Sequence, residues 1–425
     1  RGSLDRIGRR KIKAYLSFMV FISVIRLRYL LLLVGSVLAF TAFAQSKNST
    51  YIDFTIDRKD FVDTIPINYR RGQIILAVAI DGETYNLCLD TGATMGGIHD
   101  NSAIRSLCKD TSIVVADSHN IKRKTRLIRL PLMRLGNLSI TDYPAATVPP
   151  SVISDCFNDG VIGFNLFCKG ILVKIDLRNK VLILTDRKDF FRKEKGIMLP
   201  YEMHGVPVVE LEPSASCKDK AIFDTGFNGF YTMNKVGAFD VFVQTDKEKF
   251  MPVAEKMRKQ VRWTGVGRTS MGVFGTGKEH EIVVLQLDRL RVGRMSFFGV
   301  PTSTGVGNSL LGCRMLQYGS VIIDPFRERL IFRPYHDGDT CHVDRQPSDF
   351  FVVPVDGKPI VSLINEQSKV YADGMRVGDT VTEVDGKKID DFCTFVTETE
   401  DEKPMYRFSL QSGDGVKKAV VYERQ

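Results

Sequence analysis

Twice in this chain an apolar strand runs straight into the triplet Asp-Thr-Gly, in "LCLDTGATMGGI" at 87–98 and in "AIFDTGFNGFYT" at 221–232. A carboxylate at the end of a hydrophobic strand is costly unless it is hydrogen-bonded, paired or protonated. One such site can arise by chance. Two, on a matching local pattern, imply that Asp90 and Asp224 are meant for each other, so the fold must bring together points 134 residues apart.

The surroundings repeat as well. The first copy contains "GQIILAVAIDGETYNLCLDTGA", then "LIRLPLMRLGNLSITDYPAATV", then "DGVIGFNLFCKGILVKIDLRNKVLILTD". The second contains "GVPVVELEPSASCKDKAIFDTGFNG", then "IVVLQLDRLRVGRMSFFGVPTST", then "NSLLGCRMLQYGSVIIDPFRERLIFRP". Each copy ends with two apolar residues and a glycine (Val161-Ile162-Gly163; Leu310-Leu311-Gly312), a short helix-like piece and a hairpin bearing Asp176 or Asp324. Short runs of Val, Ile, Leu and Phe, punctuated by Gly, Asp-Gly and Asn, predict a mostly β chain. Only short helices fit, such as "KEKFMPVAEKMRKQV" at 247–261.

A strand, Asp-Thr-Gly, then a distant apolar-apolar-Gly resembles the aspartic proteases, retropepsin-like and pepsin-like, in their single-chain two-lobed form. The resemblance covers about 270 of 425 residues, from about 66 to 335. It implies a two-lobed β-barrel fold built by internal duplication, with Asp90 and Asp224 catalytic and Thr91, Gly92, Thr225 and Gly226 supporting the dyad. Each threonine can hydrogen-bond across the axis between the lobes, and each glycine lets a backbone N–H approach the carboxylate without a Cβ in the way. Carboxylates about 3 Å apart share one proton and titrate as a pair. The ionised member can take a proton from water while the protonated member polarises the scissile carbonyl. This chemistry needs no metal, cofactor or covalent intermediate.

The resemblance further implies peptide or protein substrates bound extended beneath a β-hairpin flap. The segment 113–130 occupies the flap position by order in the first lobe, and the glycine-rich 261–284 reads as a mobile hairpin in the second. Ala93 follows the first triplet, but Phe227 follows the second, where Ser, Thr or Ala is usual. Phe227 either points into the lobe core or distorts the site; the latter fits a catalytically inactive two-lobed peptide-binding protein.

The net charge of +9 suggests nucleic acid only until it is located. Residues 1–44 hold eight basic residues against Asp5 alone, leaving about +2 for the rest. No nucleic-acid partner is expected. Arg26 and Arg28 precede the largely apolar run 29–43, and Ala42-Phe43-Ala44 offers small residues at the cleavage positions. The run falls short of the roughly 20 residues that span a bilayer. Residues 1–44 therefore read as a signal peptide of an exported protein, periplasmic or secreted, ahead of an uncleaved anchor. Met19 offers a more ordinary start for such a signal, which leaves open whether residues 1–18 are translated.

Export permits disulfides among the eight cysteines, but their spacing is wide and no C-x-x-C occurs, which leaves zinc and thioredoxin-like chemistry without support. "GVFGTGKE" at 272–279 approaches a phosphate loop, yet Glu279 stands where a hydroxyl is needed, so no nucleotide is expected. "GNSLLG" at 307–312 lacks the second glycine of a nucleophile elbow, and "HEIVV" at 280 lacks the second histidine of a zinc motif. The basic run "KRKTRLIR", 122–129, reads as a solvated hairpin face.

Beyond the repeat, "PIVSLINEQSKVYADGMRVGDTVTEVDGKKIDDF" at 359–392 resembles a PDZ domain, the match resting on Ala372, Gly374, Gly378, Asp379 and Gly386. The resemblance implies a small α+β module that captures a chain-terminus ligand by strand addition, although no glycine-rich carboxylate loop precedes Ile360. The expected organisation is leader 1–44, linker 45–65, first protease lobe 66–190, second lobe 191–336 and PDZ-like domain 347–425.

Overall fold

Strand pairing in the computed structural model repeats as the sequence does. It describes residues 51–106, 111–149, 156, 158–244, 248–343, 345–401 and 403–424, so the leader lies outside the described residues. Among those residues no helix is long and apolar enough to cross a membrane.

In the first half, Gln73–Ile80 and Glu83–Leu89 form a hairpin closed by Asp81-Gly82, both at positive φ (49° and 91°). That two-residue turn is the one whose twist matches the strands, and Asp-Gly suits it. Gly160–Ile162 lies parallel to Leu87–Leu89 and antiparallel to Gly97–Ile98, and Gly96–His99 runs parallel to Ala145–Val148. The second half repeats this scheme. Ser309–Gly312 is parallel to Ala221–Asp224 and antiparallel to Thr232–Tyr231, while Tyr231–Asn234 runs parallel to Thr302–Gly305. In both halves the apolar-apolar-Gly strand thus lies beside the strand that leads into Asp90 or Asp224.

The two hairpins bearing Asp176 and Asp324 meet. Val173 pairs with Ile323 and Ile175 with Val321, joining the halves through one continuous sheet. Val62–Pro66 flanks that sheet on one side and Ile197–Met203 on the other. Asp324 accepts from Arg327 and Arg329, and Asp176 from Asn179 and Tyr335, so both acids hold turns. Buried aromatic side chains fill the core, among them Tyr143, Phe164, Phe223, Tyr231, Phe297 and Phe332. Burial of such side chains is the main stabilising contribution, roughly 1.5–3 kcal/mol for each Leu, Ile or Phe.

Two boundaries differ from expectation. Residues 45–65, read as a linker, hold the strand Thr55–Ile56, which pairs with Ile140–Thr141, and all but the last residue of the strand Val62–Pro66, which pairs with Val181–Thr185. Both are short, and only their distant partners identify them. At the other end, Thr340–His342 lies parallel to Ser296–Phe298, extending the second half's sheet past residue 336. The helix expected within 247–261 runs from Met251 to Lys259, with Pro252 in its first turn, and Val261 already belongs to the next strand.

The C-terminal segment has its own six-stranded sheet and its own core, which includes Val361, Met375, Val381, Leu410 and Val420. Its helix Phe392–Glu398 is capped by Asp391, whose Oδ1 accepts from the Thr394 amide at 2.7 Å. Gly374, Gly378 and Gly386 take positive φ values (111°, 90° and 80°), and buried Asp379 is held by Lys418 Nζ at 3.0 and 3.1 Å. A disulfide joins Cys156 of the first half to Cys393 of this helix; Cys88, Cys217 and Cys313 are buried free thiols.

Candidate active site

Each Asp-Thr-Gly triplet ends a buried strand and turns back on itself. Asp90 Oδ1 accepts the amides of Gly92 and Ala93 at 2.9 and 3.0 Å; Asp224 Oδ1 accepts those of Gly226 and Phe227 at 2.9 and 3.1 Å. The carboxylate caps its own turn, which fixes the side chain before any partner arrives.

The threonines tie the two turns together. The Thr91 amide donates to Thr225 Oγ1 at 3.1 Å, and the Thr225 amide donates to Thr91 Oγ1 at 3.0 Å. Each hydroxyl then donates onward, Thr91 to the Phe223 carbonyl and Thr225 to the Leu89 carbonyl, both at 2.6 Å. Both threonines are completely buried. Four hydrogen bonds in a buried seam thus lock one triplet to the other, and an unpaired group there would be costly.

The lock leaves room for nothing larger than glycine. A Cβ on Gly92 would stand 2.6 and 2.7 Å from the oxygens of Asp224, and one on Gly226 would stand 2.7 and 2.8 Å from those of Asp90. The structure therefore brings together all six residues singled out from the sequence: Asp90, Thr91, Gly92, Asp224, Thr225 and Gly226.

The carboxyl groups of Asp90 and Asp224 lie within hydrogen-bonding reach of each other, and each retains some solvent-facing surface. Burial, then the neighbouring charge of Asp224, raises Asp90 well above the ordinary carboxylate range. Burial also raises Asp224, opposed by the hydrogen bond from Asp90 and by the amides of its own turn. Each of the two therefore keeps its proton to a higher pH than an isolated carboxyl would.

Phe227 is half-buried within its own half. Its ring lies against Gly229 and Gly312, filling the space those glycines leave, and its amide still serves Asp224. No aromatic ring separates the carboxylates.

Residues 76–166 match the family model of aspartyl proteases. That match supports a protease, at this coarse level. No curated protein matches the chain.

Sequence reasoning missed a third contributor, the hairpin tip Arg70–Gln73. Gln73 Nε2 donates to the Gly226 carbonyl at 3.4 Å, and Gly72 abuts Asn228. The segment 113–130 falls within the hairpin of Ser112–Ala116 and Lys122–Leu130, whose tip reaches the second half: Asp117 Oδ2 accepts from the Phe274 amide at 3.2 Å. The phosphate-loop-like 272–279 is thus a turn that receives a carboxylate. Among the described residues no group of three His, Cys, Asp or Glu side chains is placed to hold a metal ion.

Proposed function

We propose that the chain is an aspartic endopeptidase in which Asp90 and Asp224 activate a water molecule against a peptide bond. The observation that carries this is the reciprocal arrangement of the two triplets, each threonine bonded across the seam and each glycine backing the other half's carboxylate. One carboxylate takes the proton of the attacking water while the protonated one polarises the carbonyl; the protons then pass through the tetrahedral intermediate to the leaving amine. The amides of residues 92, 93, 226 and 227 hold both side chains in place throughout. An extended substrate enters beneath the hairpin Ser112–Leu130, whose tip must leave Phe274 and Ser270 to admit it.

The C-terminal segment serves as a PDZ-like module that recruits chain termini or protein partners and raises their concentration at the cleft. The positive-φ glycines and the sheet flanked by two short helices support that assignment. Export of the protein, periplasmic or secreted, accords with the Cys156–Cys393 disulfide, which persists in oxidising compartments.

Unfolded casein incubated with the purified protein from acidic to neutral pH tests the activity. Cleavage by the wild type, lost in Asp90→Asn and in Asp224→Asn, is the expected result. Cleavage that persists in either variant overturns the assignment. Wild type that binds peptide but cleaves nothing marks a non-catalytic peptide-binding protein.

A further inference from the structure

The hairpin formed by Asn68–Arg70 and Gln73–Ile80 is held between two bodies. Its turn is Arg71-Gly72, with φ of 48° and 78°. On one side it meets the loop that follows Asp224. Gln73 Nε2 donates to the Gly226 carbonyl, and a Cβ on Gly72 would stand 2.6 Å from the Asn228 carbonyl oxygen. Tyr69 Oη accepts from Gln317 Nε2 of the same half at 3.2 Å.

On the other side the hairpin meets the C-terminal segment. Arg70 Nε and Nη2 donate to the two oxygens of Glu400 at 3.0 and 2.6 Å, and Arg71 Nη2 donates to Thr399 Oγ1 at 3.1 Å. Paired donation of this kind matches the planar guanidinium to the carboxylate and fixes direction as well as distance, which a lysine ammonium cannot do. The pair is partly sheltered, with 36% of the Arg70 and 23% of the Glu400 side chain exposed. Thr399 and Glu400 directly follow the helix Phe392–Glu398, and Cys393 near its start is cross-linked to Cys156. Both ends of that helix are therefore fastened to the first half.

We infer that Arg70 and Glu400 form a positioning pair for the dyad, through which the C-terminal module sets the catalytic loop Asp224–Gly229; this rests on the aspartic protease assignment of that loop. The loop's geometry is critical because the Gly226 and Phe227 amides hold Asp224, and Gly226 also backs Asp90. Moving the Arg70–Gln73 tip by a few tenths of an ångström shifts the Gly226 carbonyl, and with it both aspartates. A ligand that tilts the module's helix thus acts on turnover, and substrate affinity is left nearly unchanged.

Two readouts on the full chain test this, with Glu400→Gln as the main variant and Arg70→Lys as the conservative one. With a short fluorogenic peptide that cannot reach the module, Glu400→Gln is expected to lower kcat by about tenfold with KM within about twofold. Exchanging the charges (Arg70→Glu with Glu400→Arg) restores most of that loss, and Arg70→Lys falls between. Amide hydrogen exchange in 224–230 is expected to quicken by about tenfold in Glu400→Gln. An unaltered kcat, or quickened exchange confined to 392–401, overturns the coupling. The exchange measurement needs no turnover, so a wild type that cleaves nothing counts against the protease assignment alone.

Discussion

Gly92 and Asp224 face each other across the seam between the halves with no space for a methyl group, and Gly226 stands in the same relation to Asp90. Gly92→Ala or Gly226→Ala must therefore push a carboxylate off its position. Overpacking of this kind costs about 1–3 kcal/mol of stability, while a displaced reacting group loses about a hundredfold or more in kcat. A folded Gly92→Ala protein with wild-type kcat would show that the carboxylates do not work at this spacing.

The threonine lock gives the opposite balance. Thr225→Val keeps the shape but strips the Thr91 amide of its acceptor and the Leu89 carbonyl of its donor, both in a buried seam. Each group left unpaired costs about 1–3 kcal/mol, so thermal unfolding should fall by several degrees. Thr91→Val should match it, since the bonds are reciprocal. The double variant breaks all four bonds, two from each threonine, and should cost at least as much as the two singles combined. Denaturant titration of the three proteins checks this.

The raised carboxyls fix the sign of the pH dependence. Because burial lifts both carboxyls, with the charge of Asp224 adding to the rise at Asp90, the folded protein binds more protons than the unfolded chain in the window above the ordinary value. Stability contributed by this pair is therefore greatest in acid and falls as pH rises through that window. Asp90→Asn removes a charge that burial disfavours and that faces Asp224, so its melting temperature should exceed that of wild type at neutral pH and converge with it in acid. Peptidase activity in the variant should drop at least about a thousandfold. Equal melting temperatures at every pH would mean that the two carboxyl groups do not share a proton.

The dyad was legible because a carboxylate on an apolar strand is locally anomalous, and a duplicated anomaly names its own partner. Thr91 and Thr225 were legible for the same reason, being fixed by position next to Asp90 and Asp224. The contacts that seat the dyad were not. Val62–Pro66 reads as a polar linker until Val181–Thr185 lies beside it, and nothing in "YRRGQ" announces that Gly72 will abut Asn228. Phe227 stands out in the sequence because small or hydroxyl side chains are usual there; that its ring fits against Gly229 and Gly312, one of them far along the chain, is visible only in the fold. Alternation and turn chemistry specify strands; long-range pairing depends on complementarity that one sequence does not display.

Cys156 and Cys393 carry the last prediction. They lie 237 residues apart in sequence, so their disulfide closes a loop through most of the folded chain. A cross-link of that span acts chiefly on the unfolded ensemble, and its loss costs about 2–5 kcal/mol in the chain-entropy account. Cys393→Ser should therefore unfold at a lower denaturant concentration than wild type. Reductant should bring the wild type down to the variant and leave the variant where it was. The Arg70–Glu400 pair and the contact of Leu363 with Gly265 remain in that variant, so the module should stay docked under native conditions. Peptidase activity should fall far less than in Glu400→Gln, because the disulfide fastens the start of the helix and the ion pair lies at its end. Identical unfolding of variant and wild type without reductant would show that these two cysteines are not joined in the folded protein.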